Sequence, residues 1–500
     1  MTINDTILLN QANLAALPDN VTVPNYDRTA LTAGIVHIGV GGFHRSHEAF
    51  YTDEYMQQSG DLSWGICGVG LREGDRKMQG ILKEQDYLYT LIVKHPNGQV
   101  ENRVIGCLTD FLLSCDDPQS VIDKMADEQT KIVSLTITEG GYNFNPITDE
   151  FDFEHPDVIH DLANPDSPRL VFGYLTAALK KRKDAGQKPF TVQSCDNIQH
   201  NGNMTRKMLL AYAGQIDRDL AQWIAAEVQF PNAMVDRITP ATTPADMAYL
   251  ADDIGVQDNW PVVCEPFLQW IIEDKFSDVR PLWEQVGAQF VTDVTPYEKM
   301  KIRLLNAGHS VLGILGSIDV QDTIDSAVQE PLFGRYLRLF MDSEVTPILE
   351  PVPGIELAQY KDVLFERFAN PNIKDSLSRI CLESSSKVST FLLPTLLENL
   401  ANEGKIECAT LVIAAWCYYN DKRVNLNGQP LDINDVMAEE LHSAAEQTAR
   451  EPLAFLQLES IFSDVKSHPR FVTEYQKQID ILYRNGDIKS QMQKIVDQAS

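Results

Sequence analysis

Between Gly34 and about Val291 short β-branched runs alternate with stretches of helical period, and after Pro296 the strand-like runs stop. Parallel strands need a crossover helix between them, so this alternation specifies an α/β layer built on the strands Ile35–Val40, Gly65–Leu71, Lys131–Thr138 and Phe190–Ser194. The insert Tyr87–Val93, His95-Pro96-Asn97-Gly98 and Val100–Cys107 reads as a hairpin decorating that sheet, because Asn-Gly is the strongest two-residue turn signal. Beyond Pro296, apolar residues recur at helical spacing in Met300–Leu315, Pro331–Met341, Ile373–Leu382, Thr410–Tyr419 and Ile479–Gln498. The expected organisation is an α/β unit over 1–290 and a mainly α-helical unit over 291–500.

A chain of 500 residues exceeds one ordinary core, as two units require. Its 71 acidic residues outweigh 42 Lys and Arg, and a net charge of -29 excludes nonspecific binding to nucleic acid or an anionic membrane. The expected partners are small molecules. At 44% hydrophobic and 23% charged residues the composition is globular, so the acidity belongs to a solvated surface. The eight cysteines show no C-x-x-C pair and no zinc-type spacing with histidine, which fits reduced thiols in a cytoplasm. With neither a signal-type start nor an apolar run of membrane length, the expected location is cytoplasmic.

The strand at Ile35 runs into Gly39-Val40-Gly41-Gly42-Phe43-His44, the context that a dinucleotide-binding loop needs. Gly39 suits the tight turn, Gly41 and Gly42 admit a pyrophosphate to the backbone, and a helix from Phe43 directs free N–H groups at it. The third glycine of G-x-G-x-x-G is replaced by His44. After the second strand, Asp75 can bind the adenosine ribose hydroxyls and repel a 2′-phosphate, which favours NAD. It lies farther from Gly39 than the usual ~20 residues, and Arg72 or Arg76 is the alternative, as an acceptor for a 2′-phosphate.

Several longer stretches carry a family resemblance: Gly39-Val40-Gly41-Gly42-Phe43-His44-Arg45-Ser46-His47, Ser134-Leu135-Thr136-Ile137-Thr138-Glu139-Gly140-Gly141-Tyr142, Ser194-Cys195-Asp196-Asn197, Phe230 to Pro240, Trp260 to Phe267, and Pro296 to Ser310. With them the chain closely resembles the long-chain, zinc-independent polyol dehydrogenases, relatives of mannitol dehydrogenases and fructuronate reductases, from about Gly34 to beyond Lys387. The resemblance implies a Rossmann-type N-terminal domain, a helical C-terminal domain and an active site in the cleft between them, with oxidation of D-mannitol to D-fructose by NAD and the reverse reduction. It implies Lys301 as general base, Asn197 and Asn306 on the reacting oxygen, and His309 positioning the alcohol. Residues matching Asp236, Arg379 and Lys387 hold the remaining hydroxyls, and Glu298 lies on the proton route from the lysine to water. It also implies a monomer. Gly74 departs from the family, where an acidic residue stands beside the aspartate.

The residues themselves bear on these roles. In Pro296-Tyr297-Glu298-Lys299-Met300-Lys301-Ile302-Arg303-Leu304-Leu305-Asn306-Ala307-Gly308-His309-Ser310 a helix at about 100° per residue, with Lys301 at zero, sets Glu298 near 60°, His309 near 80° and Asn306 near 140°. Arg303 falls on the other side, and Gly308 permits close approach by substrate or a bend. Dehydrogenating an alcohol requires a base and donors for developing alkoxide charge, which lysine and two asparagines supply. A lysine with the ordinary pKa of about 10.4 is protonated at neutral pH, so burial near a positive nicotinamide has to favour its neutral form. Tyr297 with Lys301 offers a second reading, a tyrosine-acid reductase. Arg379 and Lys387 share a face if one helix spans both, and would suit a carboxylate as well as hydroxyls, which keeps a hexuronate (fructuronate or tagaturonate) reductase open beside a D-arabinitol dehydrogenase. Asn197 can instead close an Asx-turn, and Asp236 can be a helix cap or ion-pair partner. His44, His47 and His200 lack a metal motif, so no metal is expected. A nicotinamide-binding regulatory protein without turnover is the reading from a different class.

Overall fold

The strand Ile35–Ile38 (β1) sends Ile35 to one face and Val36 and Ile38 to the other, each into a buried apolar cluster. A strand covered on both faces needs helices above and below, which parallel crossovers supply. It is the middle of five parallel strands, with Ile66–Gly70 (β2), Leu108–Leu113 (β3), Ile132–Leu135 (β4) and Thr191–Ser194 (β5), in the order β5-β4-β1-β2-β3. This is the Rossmann order, with its switch point between β1 and β4, and ligands of such sheets bind outside the carboxyl ends of the strands there. The computed structural model describes residues 6–145, 148 and 150–499, in two compact units, Met1–Thr295 and Pro296–Ser500.

Two expectations for the first unit are corrected. The hairpin is present, as Tyr89–Lys94 paired antiparallel with Val100–Ile105, but it does not extend the parallel sheet. It joins Val262–Cys264 and Val21–Thr22 in a separate four-stranded sheet. Parallel alternation also ends at β5, because Ala233–Asp236, Gln269–Glu273 and Gln289–Val291 form a sheet of their own. Apolar period identifies a strand, whereas its pairing edge depends on where the chain returns in space. β3 is missing from the strands expected, because Thr109 and Asp110 interrupt its apolar run.

The second unit is mainly helical. Glu407–Lys422, almost wholly buried, is its centre and packs against Ala307–Ile318, Ala438–Gln447 and Pro469–Asn485. The last expected helix is two, since Gly486, at φ 65°, gives the first a left-handed C-cap before Ile488–Ala499 begins. Within Ile373–Leu382 only Leu377–Ile380 is helical, started by a hydrogen bond from Arg379 N–H to Ser376 Oγ. Among the described residues no helix is long and apolar enough to cross a membrane. The eight cysteines are unpaired, and only Cys115 is exposed.

Candidate active site

The loop after β1 is built for close approach. Gly39 has φ 95°, and a Cβ there would lie 2.1 Å from the Thr136 carbonyl oxygen, so only glycine fits. Thr136 Oγ1 donates to Gly39 O at 2.5 Å and ties the loop to the end of β4. Gly41 caps the short helix Gly42–Ser46 (α1), whose first intrahelical bond runs from Arg45 N–H to Gly41 O. The N–H groups of Gly42, Phe43 and His44 precede that bond and remain for an anion. A Cβ on Gly41 would meet only Gly39 O, at 3.9 Å, so this backbone stays open. A dinucleotide pyrophosphate fits such a cradle.

The missing third glycine has a structural explanation. α1 stops at Ser46, the chain turns at His47 (φ -117°, ψ -89°), and Glu48–Ser59 (α2) begins in a new direction. The space this opens holds the His44 ring, stacked on His37 with centroids 3.4 Å apart and planes 13° apart. Both Nδ1 atoms reach Glu48 Oε2, His37 at 2.9 Å and His44 at 3.2 Å, and Ser134 Oγ donates to the same oxygen at 2.9 Å. Burial alone would raise the Glu48 carboxyl, but the bonds from His37 and His44 hold it below the usual carboxylate range. Burial, reinforced by His37, pushes His44 down to about 3, so its ring is neutral and turned inward. His44 can therefore offer a cofactor its backbone N–H, not its imidazole.

His37, His44 and Glu48 are also the one group of metal-ligand type gathered among the described residues. Nearly parallel rings send their lone pairs side by side rather than toward one point, and both already use one carboxylate oxygen, so the cluster reads as packing. His47 and His200 lie outside it: His47 Nε2 bonds Gln269 O at 2.9 Å, and His200 precedes the helix Asn201–Ile216.

At the end of β2, Asp75 Oδ2 accepts from Arg72 N–H at 3.1 Å, which folds the carboxylate back beside Gly70. Arg76 is held by Glu73 and by Asp116, its Nη2 lying 2.7 Å from Asp116 Oδ1. A 2′-phosphate would have to displace those carboxylates. Gly74 has nothing near it.

Asn197 lies in the turn after β5, at the carboxyl edge, and is exposed. Its neighbour Asp196 is buried, a residue that sequence reasoning passed over because nothing local distinguishes it from a turn aspartate. Asp236 ends the strand Ala233–Asp236, paired across from Gln269, and is buried rather than capping a helix.

In the second unit, Lys301 and Glu298 are both buried, in Thr295–Lys301 (α3). The helix does not continue evenly: Ile302–Asn306 is a π turn, and α-helix resumes at Ala307–Ile318 (α4). A π turn takes one extra residue per turn and rotates the residues after it back by about 100°. Asn306 and His309 then fall near 40° and -20° rather than 140° and 80°, which gathers them and Glu298 more closely about Lys301. Among the described residues, Asn306 Oδ1 and His309 Nε2 are buried without a hydrogen-bond partner. Arg303 faces away, its Nη1 donating to Thr395 Oγ1 at 3.1 Å. Gly308 serves packing instead of substrate approach, since a Cβ there would meet Met341 at 3.1 Å and Leu337 and Phe368 at 3.4 Å. The Tyr297 hydroxyl donates to Pro353 O at 2.9 Å, which commits it elsewhere.

Arg379 and Lys387 are not on one helix. Leu377–Ile380 (α5) and Ser384–Lys387 (α6) are separated by a turn that ends at Glu383, φ 50°. That turn brings them together in another way, since Lys387 Nζ donates to Ile380 O at 2.9 Å. Arg379 Nε bonds Asp375 Oδ1 at 2.5 Å. Burial, then the charges of Arg379, Arg367 and Lys387, push His309 well below its ordinary range, so its imidazole is neutral. Its ring lies against Phe368, centroids 4.6 Å apart.

Two family models match the chain, the mannitol dehydrogenase Rossmann domain over residues 33–285 and the mannitol dehydrogenase C-terminal domain over 293–483. It is 45% identical to a mannitol 2-dehydrogenase of Phaeosphaeria nodorum over 96% of this chain and 84% of that protein. Identity to the mannitol 2-dehydrogenase of Aspergillus terreus is 44%, over 98% and 99% of the two chains. Among solved structures it is similar to the Pseudomonas fluorescens mannitol 2-dehydrogenase ternary complex with NAD and D-mannitol, with TM-score 0.92, 46% identity, and 98% and 100% of the chains covered. A substrate-free D-sorbitol dehydrogenase matches with TM-score 0.86 and 36% identity, over 97% and 100%.

Proposed function

The chain belongs to the mannitol dehydrogenase family, and on that premise we propose that it oxidises D-mannitol to D-fructose with NAD, and runs the reverse reduction, without a metal and with Lys301 as acid and base. Bound NAD supplies the hydride acceptor; the proton is the protein's task. Lys301 takes the hydroxyl proton as the carbonyl forms, and burial favours the neutral amine this requires by withdrawing the water that stabilises an ammonium. Asn197 and Asn306 donate to the oxygen as it gains negative charge, and neutral His309 orients the alcohol. Asp236, Arg379 and Lys387 hold the other hydroxyls, and Glu298 passes the proton between Lys301 and water. Gly39, Gly41, Gly42, Phe43, His44 and Asp75 hold the cofactor.

The observation that carries this reading is the pair of buried, unpartnered atoms Asn306 Oδ1 and His309 Nε2 beyond a buried lysine. A polyol carries several hydroxyls, each both donor and acceptor, and so can satisfy both atoms while Asn306 Nδ2 donates to the reacting oxygen. The choice of mannitol is supported by the Pseudomonas fluorescens relative, solved with NAD and D-mannitol. A hexuronate reductase is the second reading, favoured by the cations around His309, but Asp375 already neutralises Arg379, which suits an uncharged polyol. NADH absorbance with D-mannitol, D-fructose, sorbitol, D-arabinitol and fructuronate, each with and without EDTA, tests the proposal. Preference for mannitol and fructose, undiminished by EDTA, is expected; preference for fructuronate, or inactivation by the chelator, overturns it. We assign cofactor binding to 1–290 and substrate binding to 291–500, and expect a cytoplasmic monomer, which sedimentation and cell fractionation check.

A further inference from the structure

In a sheet of this order the acidic residue after β2 marks the adenosine half, and the nicotinamide half lies over β4 and β5. Two motifs end there, Ser134 to Tyr142 after β4 and Ser194 to Asn197 after β5, and the proposed mechanism gives a role only to Asn197. The structure joins them through one side chain. Asp196, 7% exposed, accepts from Ile137 N–H at 3.1 Å, from Thr138 N–H at 2.8 Å and from the Tyr142 hydroxyl at 2.8 Å. Its own N–H donates to Ser194 Oγ at 3.2 Å, and its carbonyl accepts from Asn201 Nδ2 at 3.0 Å.

Thr138 shows what these bonds hold. It has φ 59° and ψ 171°, a region that β-branched residues avoid and that persists only where surrounding contacts over-determine it. Its N–H is one of the two amides fixed by Asp196. We propose that Asp196 is a positioning residue for the reaction: it locks the strained Ile137–Thr138 peptide after β4 to the turn after β5, and so sets Asn197 to meet the reacting oxygen. Burial pushes the Asp196 carboxyl up while the bonds from Ile137, Tyr142 and Thr138 pull it down, so the carboxylate depends on those donors remaining in place. The inference rests on the role proposed for Asn197.

The test is a double-mutant cycle in D-mannitol oxidation, with Asp196→Asn, Asn197→Ala and the pair, beside Tyr142→Phe. Asparagine keeps the shape but has one acceptor oxygen, too few for two amides and a hydroxyl. Asp196→Asn should lower kcat about tenfold or more while NADH affinity, read by fluorescence titration, changes less than about twofold. Asn197→Ala should then cost far less in the Asp196→Asn background than alone, because two residues acting as one unit are non-additive. Tyr142→Phe, a mild change, should lower kcat about threefold with NADH affinity intact. Additive losses, or a wild-type kcat in Asp196→Asn, overturn the proposal. If Asp196→Asn does not fold, Tyr142→Phe decides, and a wild-type kcat there overturns it. Should the wild type prefer another polyol, the substrate assignment fails while the same cycle, run with that polyol, still decides the role of Asp196.

Discussion

Replacing His44 by glycine would complete the glycine-rich fingerprint, and the structure predicts that this repair damages the protein. The His44 ring is 1% exposed, stacked on His37 and bonded to Glu48. Removing a hydrogen bond to a buried carboxylate costs about 1.5–3 kcal/mol. Losing the ring stack costs about 0.5–1.5 kcal/mol, and glycine inside α1 about 1 kcal/mol more. The total is about 3–5.5 kcal/mol, which at about 2–4 °C per kcal/mol lowers the unfolding midpoint by about 6–22 °C. Thermal unfolding by circular dichroism measures it, with NADH affinity by fluorescence alongside. His44→Phe keeps the stacked ring and loses the bond, so it should show about half the loss. An unchanged or raised midpoint in His44→Gly would refute the reasoning, since the ring would then contribute nothing that a bare backbone lacks.

Gly39→Ala forces a Cβ onto the Thr136 carbonyl at φ 95°, and should weaken NADH binding more than about tenfold in titration, with strain of about 1–3 kcal/mol. Lys301→Ala should abolish mannitol oxidation, whereas Tyr297→Phe, which removes the bond to Pro353, should retain most of kcat and lose about 1 kcal/mol of stability. In the wild type, oxidation should rise with pH and fructose reduction fall, as expected of a lysine base; a pH-independent oxidation rate sinks that role. Acid should destabilise the fold early. Burial sets His44 to about 3 and His47 to about 4 in the folded state, so between the unfolded value of about 6.5 and those values the unfolded chain binds protons the fold refuses. Stability is then level above about pH 6.5 and falls below it, and a thermal midpoint constant down to about pH 5 contradicts this.

Much of the proposed site is local and so could be read from the sequence. The cradle at Gly39 to Gly42 turns on one backbone conformation that only glycine adopts easily, at Gly39, and Lys301, Asn306 and His309 stand close enough in sequence for any helix to keep them near one another. The π turn at Ile302–Asn306 was not legible, because an extra residue in a turn is decided by what the helix packs against and not by its apolar period. The placing of Arg379 and Lys387 failed for a similar reason: the break at Glu383 leaves their proximity to a hydrogen bond, Lys387 to Ile380.

From sequence alone came the α/β and helical units and the nucleotide loop, and the family resemblance added the lysine proposed as the base. The first two rest on near-neighbour physics, side-chain period and glycine dihedrals, and the third on long motifs shared with the family. Tertiary structure alone decided the sheet that takes the hairpin, the stacking of His44 in place of a glycine, and the lock that Asp196 places on Thr138. Those contacts depend on how separate elements pack against one another, and a hydrogen bond or stacked ring of that kind exists only once the fold has brought its partners together.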